Sequence, residues 1–250
     1  MNNDYASIFS SILRENQIKT NEPMKRHTTF GIGGPADCFL MPETTEEVCL
    51  ITKLAHKHEV PLFVLGGGAN LLVRDKGIRG AVVFTGRLHR MERKGNLLTV
   101  ASGVPTAAAA RKALEYGLSG MEFASGIPGS IGGAAYMNAG AYGGEMAKII
   151  VSATTCDAKG DIIVYSIKDM GYGYRHSPFM QNREVILDIT LSLKPGNQKD
   201  IEALMKDLNQ RRATKQPLEK RSAGSTFKRP DGHFVGQMLE ELGLKGFSVG

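Results

Sequence analysis

A glycine-rich stretch at residues 124–144 is the part of the sequence whose composition points most directly to ligand chemistry. Seven of its 21 residues are glycine, and none is charged. Glycine inside a regular element costs about 0.5–1 kcal/mol relative to alanine, so such a run is favoured where the backbone must approach a large ligand or adopt a positive φ. Bulky residues such as Ile131 and Tyr142 are atypical of flexible Gly/Ser linkers. The composition therefore predicts a backbone-lined binding wall.

A second glycine cluster, the glycine loop of residues 66–71, has the sequence Gly-Gly-Gly-Ala-Asn-Leu and follows a short apolar run. Successive backbone N–H groups at such a strand-to-loop junction can converge on an anion. One glycine would serve a tight turn, whereas three followed by asparagine favour close approach to a diphosphate. The loop lacks the Gly-Lys-Ser/Thr ending of a P-loop, so nucleoside triphosphate hydrolysis is not supported.

A third glycine cluster, at residues 31–36, formally fits the dinucleotide pattern G-x-G-x-x-A. That pattern is informative only between a strand and a helix. Here we expect no strand before it, and residues 36–41 after it are typical of an extended chain. The sequence therefore does not predict a Rossmann site.

Positive charge is concentrated in one place, the basic segment of residues 211–229. The formal net charge is +6, and this segment holds one acid, Glu219, against seven basic residues: Arg211, Arg212, Lys215, Lys220, Arg221, Lys228 and Arg229. The rest of the chain is close to neutral. We therefore predict a local anion site and not a nucleic-acid-binding surface.

Composition also bounds the compartment and the class of protein. No apolar run approaches the roughly 20 residues of a membrane span, and the first residues lack the features of a signal peptide, so a cytoplasmic protein is expected. The three cysteines, Cys38, Cys49 and Cys156, form no CxxC pair. They are interpreted as small buried hydrophobic residues, with no metal site predicted.

Periodicity and capping signals define the elements that would position these groups. A capping box at residues 44–47 opens one helix, and Pro105 and Gly117 bracket another. Helices are predicted over residues 5–17, 45–58, 106–116, 200–212 and 235–242, and strands over 61–65, 81–85, 97–101, 149–157, 162–166 and 185–193. The turn signals at residues 194–197 predict a domain boundary there.

Four blocks of sequence, in order, resemble the UDP-N-acetylenolpyruvoylglucosamine reductase family, the flavoenzymes of peptidoglycan precursor synthesis and hence of cell wall biogenesis. The resemblance covers about residues 23–250. The blocks are Gly66-Gly67-Gly68-Ala69-Asn70-Leu71-Leu72; Ser125-Gly126-Ile127-Pro128-Gly129-Ser130-Ile131-Gly132-Gly133-Ala134; Gly173-Tyr174-Arg175-His176-Ser177; and Lys215-Gln216-Pro217 with Ala223-Gly224-Ser225-Thr226-Phe227.

The resemblance implies an α+β fold. It comprises a two-lobed FAD-binding domain of the vanillyl-alcohol oxidase type, followed by an α+β substrate domain that is incomplete at its C-terminal end. We accordingly expect an N-terminal helix in residues 1–22, the FAD-binding domain in 23–195 with lobes of about 23–86 and 87–195, and the substrate domain in 196–250. The strand before residues 194–196 has no inserted tyrosine-bearing loop after it, so the chain resembles the shorter type of the family.

The resemblance also implies the reaction. Non-covalent FAD, reduced by NADPH, would serve to reduce the enolpyruvyl double bond of UDP-N-acetylglucosamine enolpyruvate to UDP-N-acetylmuramate. No nucleic acid or membrane insertion is expected, and the oligomeric state is left open. Two alternatives are an oxidase of the same flavin fold that acts on an alcohol, and a chain that binds FAD or a UDP-sugar without full activity.

Particular residues take roles from the resemblance. Arg175 would stabilise the negative charge of the intermediate and Ser225 would donate the proton, although an arginine is ordinarily a solvated surface charge and a loop serine a turn residue. The family's catalytic glutamate lies beyond the segment that matches residues 246–250, so no residue is assigned to it here. Substrate binding would fall to Tyr174, Lys215 and Arg229. FAD binding would fall to Gly66, Gly67, Gly68, Ala69, Asn70, Leu71, Gly126, Pro128, Gly129, Ser130, Gly132, Gly133, Asn138, Ala139, Gly140 and Ala141.

Overall fold

The structure, a computed structural model, describes residues 5–249, which form two larger β-sheets, two two-stranded sheets and seven α-helices. The helices are α1 (Tyr5–Phe9), α2 (Thr45–Lys57), α3 (Thr106–Glu115), α4 (Ile131–Tyr136), α5 (Phe179–Asn182), α6 (Gln198–Lys215) and α7 (Val235–Glu241). The strands are β1 (Ile18–Pro23), β2 (Pro35–Leu40), β3 (Leu62–Leu65), β4 (Ile78–Phe84), β5 (Met91–Lys94), β6 (Leu97–Ala101), β7 (Leu118–Ser119), β8 (Gly140–Ala141), β9 (Gly144–Glu145), β10 (Ile150–Cys156), β11 (Ile162–Ser166), β12 (Val185–Ser192) and β13 (Lys194–Pro195).

The first sheet has the strand order β1-β2-β4-β3, in which β2, β4 and β3 are parallel and β1 is antiparallel. Alternate residues of β2 enter different cores, because successive side chains of a strand point to opposite faces. Cys38 and Leu40 pack with Ile51 of α2, whereas Phe39 packs with Leu65 on the other side. The glycine loop leaves this sheet at the end of β3.

The second sheet, of order β11-β10-β12-β6-β5, is antiparallel throughout. Its core includes Val100 of β6, Ile189 of β12 and the alanine-rich face of α3, which presents Ala109 and Ala113. Helix α4 packs against β12 and β6 and contributes buried Ile131 to the same core. The glycine-rich stretch is therefore built onto the face of this sheet.

The predicted helices and strands from α2 onward are confirmed, with bounds within about three residues. The Thr44 side chain caps α2 as predicted, accepting from the Glu47 backbone N–H at 3.1 Å. The predicted domain boundary at residues 194–197 lies in the segment between β12 and α6, where β13 pairs with β7. That pairing ties the start of α6 to the end of α3.

The predicted helix over residues 5–17 is wrong beyond Phe9. Ser10 and Ser11 follow the helix, and their hydroxyls donate to the carbonyl oxygens of Ser7 and Ile8. Serine side chains that bond to nearby backbone in this way compete with helix formation. The chain then forms β1, so a strand does precede the 31–36 fragment, contrary to expectation.

The rejection of a Rossmann site at residues 31–36 nevertheless agrees with the structure. A 3₁₀ turn, Met24–Arg26, separates β1 from the fragment. The residues after it form the strand β2 and not a helix. The fragment therefore lacks the strand–turn–helix geometry that binds a dinucleotide.

Three further features of the described residues concern membrane-spanning helices, cysteines and metal ligands. None of the helices in residues 5–249 is long and apolar enough to cross a membrane. Cys38 and Cys156 are buried and Cys49 is partly buried, and none of the three forms a disulfide within the described residues. Within the same residues no cluster of three His, Cys, Asp or Glu side chains could hold a metal ion.

Candidate active site

Three loops meet at the end of β3: residues 27–31, the glycine loop, and residues 128–130. A Cβ on Gly67 would lie 2.6 Å from the Cα of Gly129, and a Cβ on Gly68 would collide with the carbonyl oxygen of His27. Gly68 also has a φ of +63°, a conformation that favours glycine. The glycines therefore allow backbone to meet backbone where the two sheets come together.

The glycine loop has free donors. No hydrogen bond to another described residue is found for any backbone N–H from Gly66 to Leu71, while the carbonyl oxygen of Gly68 accepts from Thr29 at 3.1 Å. Gly67 and Asn70 are exposed to solvent. Because these N–H groups have no partner within the described protein, they are available to an anionic ligand such as a diphosphate.

The glycine-rich stretch is a wall with a short helix inside it, which the sequence analysis did not predict. Ser130 caps α4, its Oγ accepting from the Gly133 N–H at 3.4 Å. Gly132 is buried, and a Cβ there would lie 2.6 Å from Ser102 Cβ, whereas Gly133 is exposed with only Ser130 Oγ nearby at 3.5 Å. Gly133 and Pro128 are thus exposed on this wall, as are Tyr136, Tyr142 and Gly143.

Arg175 is fixed to the same stretch. Its Nη1 donates to the carbonyl oxygen of Asn138 and its Nη2 to that of Gly140, both at 3.0 Å. The Asn138 side chain is 2% exposed and is engaged by the protein itself, accepting from the Ala147 N–H at 3.0 Å and donating to the Gly173 oxygen at 2.9 Å. Asn138 thus positions both the arginine and the turn that carries it.

The predicted substrate residues Tyr174 and Arg229 lie beside Arg175. The guanidinium carbons of Arg175 and Arg229 are 5.0 and 6.0 Å from the centre of the Tyr174 ring. Arg229 also lies 5.5 Å from the ring of Phe234, just before α7. Cations over aromatic faces attract the rings, so this group presents two positive charges around one exposed tyrosine.

The segment that carries Ser225 lies across the opening between the three loops, and this opening is called the mouth below. The Ser222 oxygen accepts from Thr29 Oγ1 at 2.6 Å, and a Cβ on Gly224 would lie 3.5 Å from Asn70 Oδ1. Ser225 itself is exposed. The structure therefore brings Ser225 next to the glycine loop, although the two are far apart in sequence.

Lys215, a predicted substrate-binding residue, has the fewest contacts with the other predicted site residues. It ends α6 and is exposed, and no hydrogen bond or ion pair joins its side chain to another described residue. In the two preceding turns, Asn209 and Arg212 of α6 pack against Gly126: a Cβ on that glycine would lie 2.5 Å from Asn209 Oδ1 and 3.2 Å from Arg212 Cδ. Sequence reasoning missed both, since nothing local indicates which face of α6 meets the wall.

A hydrogen-bonded pair of His27 and Glu22 lies beneath the three loops. His27 Nε2 bonds the buried Glu22 carboxylate at 2.8 Å, and the His27 ring stacks on Phe39 with centroids 4.2 Å apart. Burial raises the pKa of Glu22, but the bond to His27 and the charges of Lys19 and Arg26 outweigh it and hold this pKa below its ordinary value. Glu22 is therefore an ionised anchor for the residues that abut Gly68.

The sheets and loops define an FAD-binding protein. The chain matches the family model of the FAD binding domain over residues 36–166, which include the glycine loop and the whole glycine-rich stretch. Unpaired N–H groups in one wall and an accessible glycine backbone in the other fit that cofactor. Residues 216–250, which carry Ser225 and Arg229, match the model of the UDP-N-acetylenolpyruvoylglucosamine reductase C-terminal domain.

Relatives that match nearly the whole chain carry the same family name. The sequence is 47% identical over 247 residues to a UDP-N-acetylenolpyruvoylglucosamine reductase of Clostridium kluyveri, covering 99% of this chain and 81% of that protein. It is 44% identical over 239 residues to the protein of the same name from Caldanaerobacter subterraneus, covering 96% and 79%. The chain belongs to the UDP-N-acetylenolpyruvoylglucosamine reductase family, and the resemblance inferred from the sequence is confirmed.

Solved structures confirm the fold. The crystal structure of the UDP-N-acetylenolpyruvylglucosamine reductase from Thermus caldophilus superposes with a TM-score of 0.80 at 35% identity, covering 91% of this chain and 81% of that one. An alkyldihydroxyacetonephosphate synthase superposes with a TM-score of 0.59, covering 77% of this chain and 43% of that one. The two sequences are 16% identical, so this similarity is evidence of the fold alone. The predicted α+β fold with a vanillyl-alcohol-oxidase-type FAD-binding domain is therefore correct.

Proposed function

We propose that this protein uses FAD and NADPH to reduce UDP-N-acetylglucosamine enolpyruvate to UDP-N-acetylmuramate, a step of peptidoglycan precursor synthesis. The observation that carries the proposal is a chain of contacts through the segment of Ser225. The turn that precedes Ser225 lies against Asn70 of the glycine loop, and Arg229, four residues after Ser225, lies beside the ring of Tyr174, which Arg175 also contacts. These contacts combine a cofactor wall, a proton donor and an anion-binding cluster.

The FAD would lie along the two glycine walls. The free N–H groups of the glycine loop suit its diphosphate, and the exposed face at Pro128 and Gly133 leaves room for a flat ring, with residues 139–141 continuing this wall. Bound FAD, once reduced by NADPH, supplies the hydride for the double bond. The buried Ser130, Gly132 and Asn138 would act by shaping the wall rather than by direct contact.

Arg175 would stabilise the charge that develops on the substrate. Addition of hydride to the enolpyruvyl double bond leaves an electron pair on the carbon next to the carboxylate. A guanidinium has five N–H donors, and two of those of Arg175 are used by Asn138 and Gly140. The remaining donors are held in a fixed orientation, which is the arrangement that favours the intermediate, with its additional negative charge, over the substrate.

Ser225 would complete the reaction by donating its Oγ proton to the carbon next to the carboxylate. It is exposed, and the left-handed Gly224 before it has a φ of +84°. Glycine is favoured in that conformation, so the turn has a defined direction. Tyr174 and Arg229, with Lys215 from the end of α6, would bind the UDP portion, because an anionic diphosphate is a natural partner of clustered cations.

The experiment compares the two half-reactions in wild-type protein and in Ser225→Ala. The FAD-loaded wild-type protein should oxidise NADPH steadily only when the UDP-enolpyruvyl sugar is present. Ser225→Ala should keep the reduction of FAD by NADPH but slow the reoxidation by substrate about 10²–10⁴-fold, the usual range for positioned proton transfer.

Ser222→Ala is the matched control, since it disturbs the same turn without removing the proton donor and should cost much less. A protein that takes up no FAD would contradict the proposal. Turnover of a simple alcohol with release of peroxide would contradict it as well and would identify an oxidase of the same fold.

A further inference from the structure

Thr29 contacts both sides of the mouth at once. Its backbone N–H donates to the Gly68 oxygen at 3.1 Å, and its side-chain Oγ1 donates to the Ser222 oxygen at 2.6 Å. The first bond reaches the glycine loop, and the second reaches the turn that leads to Ser225. We propose that Thr29 is a positioning residue that holds the Ser225 turn closed over the cofactor loop, an inference that rests on the function proposed for Ser225.

Thr29 has a rigid base from which to act. The Gly31 N–H bonds the Thr28 oxygen at 3.0 Å, and Thr28 Oγ1 donates to the Ile32 oxygen at 2.9 Å. Just before it, His27 is held by Glu22 and by Phe39. Because Thr28 before Thr29 and Gly31 after it are held by these bonds, the exposed hydroxyl of Thr29 is held at a defined place beside the mouth.

The contact at Ser222 determines where Ser225 lies. The Gly224 N–H donates to Ser222 Oγ at 3.1 Å, which closes a short turn between the held carbonyl and the proton donor. The turn rests against Asn70 of the glycine loop, 3.5 Å from the Cβ position of Gly224. Because Thr29 holds Ser222, and because Ser225 follows Ser222 after one compact turn, the position of Ser222 fixes the position of Ser225.

The latch, meaning the Thr29–Ser222 contact, is weak enough to open. A second contact, from Arg221 Nη1 to the Gly31 oxygen at 3.4 Å, is long for a hydrogen bond. One good neutral bond between exposed groups contributes little net stability. The latch can therefore release the turn to admit substrate and re-form to set the proton donor.

The test uses FAD-loaded protein and three forms of residue 29: wild type, Thr29→Val and Thr29→Ser. Valine keeps the β-branched shape and the backbone bond to Gly68 but removes the hydroxyl, while serine keeps the hydroxyl. Lys220 and Arg221 are exposed trypsin sites next to the latch. In Thr29→Val, cleavage there should be about two- to ten-fold faster, the range for loss of one hydrogen bond, and Thr29→Ser should behave as wild type.

Turnover gives the second readout. Thr29→Val should lower kcat by a similar factor, with FAD affinity unchanged and rescue by serine, because the bond to the glycine loop is a backbone bond. Equal cleavage rates in wild type and Thr29→Val would overturn the latch, and so would a loss of FAD binding without faster cleavage. Since the cleavage assay needs no substrate, faster cleavage would support the latch even in a protein that failed to reduce the UDP-enolpyruvyl sugar.

Discussion

Arg175 is bonded to the main chain of Asn138, its Nη1 lying 3.0 Å from that residue's carbonyl oxygen, while the Asn138 amide bonds Gly173 two residues before Arg175. Both residues have positive φ, 51° for Arg175 and 41° for Asn138. Non-glycine residues in this region are strained and are often found at functional sites. The arrangement holds a cation at the edge of the cofactor wall at some cost to stability.

Arg175→Lys should therefore impair catalysis more than binding. Lysine keeps the charge but cannot bond Asn138, Gly140 and a substrate from one planar group. We expect kcat to fall about 100-fold, as for loss of one preorganised donor to a developing anion, with FAD affinity nearly unchanged. Arg183→Lys is the control, since Arg183 also has a positive φ, 58°, but is exposed at the end of α5. Equal losses in the two variants would assign the effect to the backbone.

Gly133→Ala separates the cofactor role of α4 from its folding role. A Cβ there meets only Ser130 Oγ at 3.5 Å, so the free energy of unfolding should stay the same or rise by about 0.5–1 kcal/mol. The added methyl group nevertheless stands on the accessible face of the wall. FAD affinity, measured by fluorescence titration, should fall at least about 10-fold.

Gly236→Ala in α7 is the matched control for Gly133→Ala, because a Cβ there has nothing within 4 Å. It should give a similar change in stability with no change in FAD affinity. If Gly133→Ala bound FAD as well as wild type did, the cofactor would not lie along α4.

Local sequence signals predicted most elements but not how they meet. The edge strand β1 was missed because Lys19, Thr20 and Asn21 are exposed and show no apolar alternation. Helix α4 was missed because two of its six residues are glycine, and what stabilises it is burial of Ile131 and its alanines in the core. Such burial depends on tertiary packing, which propensity does not report.

The sequence predicted those site residues that lie in recognisable motifs. Arg175 and Ser225 came from resemblance, and the structure places each beside a glycine wall. The bond from Thr29 to Ser222 spans 193 residues of sequence, and Thr29 is an ordinary exposed residue in its own segment. No periodicity or spacing indicates a contact of that kind, so the fold was needed to find it.

Tyr172→Phe should stabilise the protein. Tyr172 Oη is buried, and it and Ser102 Oγ are the buried side-chain polar atoms that lack a hydrogen-bond partner within residues 5–249. Burial also raises the pKa of Tyr172 strongly. Removing an unsatisfied hydroxyl relieves its desolvation cost, so the free energy of unfolding in urea should rise by about 1 kcal/mol.

Tyr165→Phe is the opposite case and the control for Tyr172→Phe. Its hydroxyl donates to Glu184 Oε1 at 2.7 Å, so its removal should lower stability. A loss of FAD affinity in Tyr172→Phe, in place of a gain in stability, would instead assign that hydroxyl to the ligand.

Glu22 makes stability depend on acid pH. Its carboxylate accepts from His27 at 2.8 Å and lies 3.6 Å from Lys19 Nζ, and its pKa is lowered from the ordinary 4.5. A folded-state pKa below the unfolded one contributes stability that is fully present above the unfolded value and is lost as the pH falls through the folded one. Wild type should therefore exceed Glu22→Gln in free energy of unfolding at neutral pH, and the difference should shrink below pH 4.5.

The measurement is urea unfolding of both proteins from about pH 7 to about pH 3, a range that spans the titration. Glu43→Gln is the control: its carboxylate is half-exposed and pairs with Arg14 and Arg87 on the surface, where ion pairs contribute little. Because His27 abuts Gly68, FAD release should also accelerate in wild type over the pH range in which the Glu22 contribution is lost. A wild-type advantage over Glu22→Gln that stayed constant down to about pH 3 would show that Glu22 acts through shape and not through its charge.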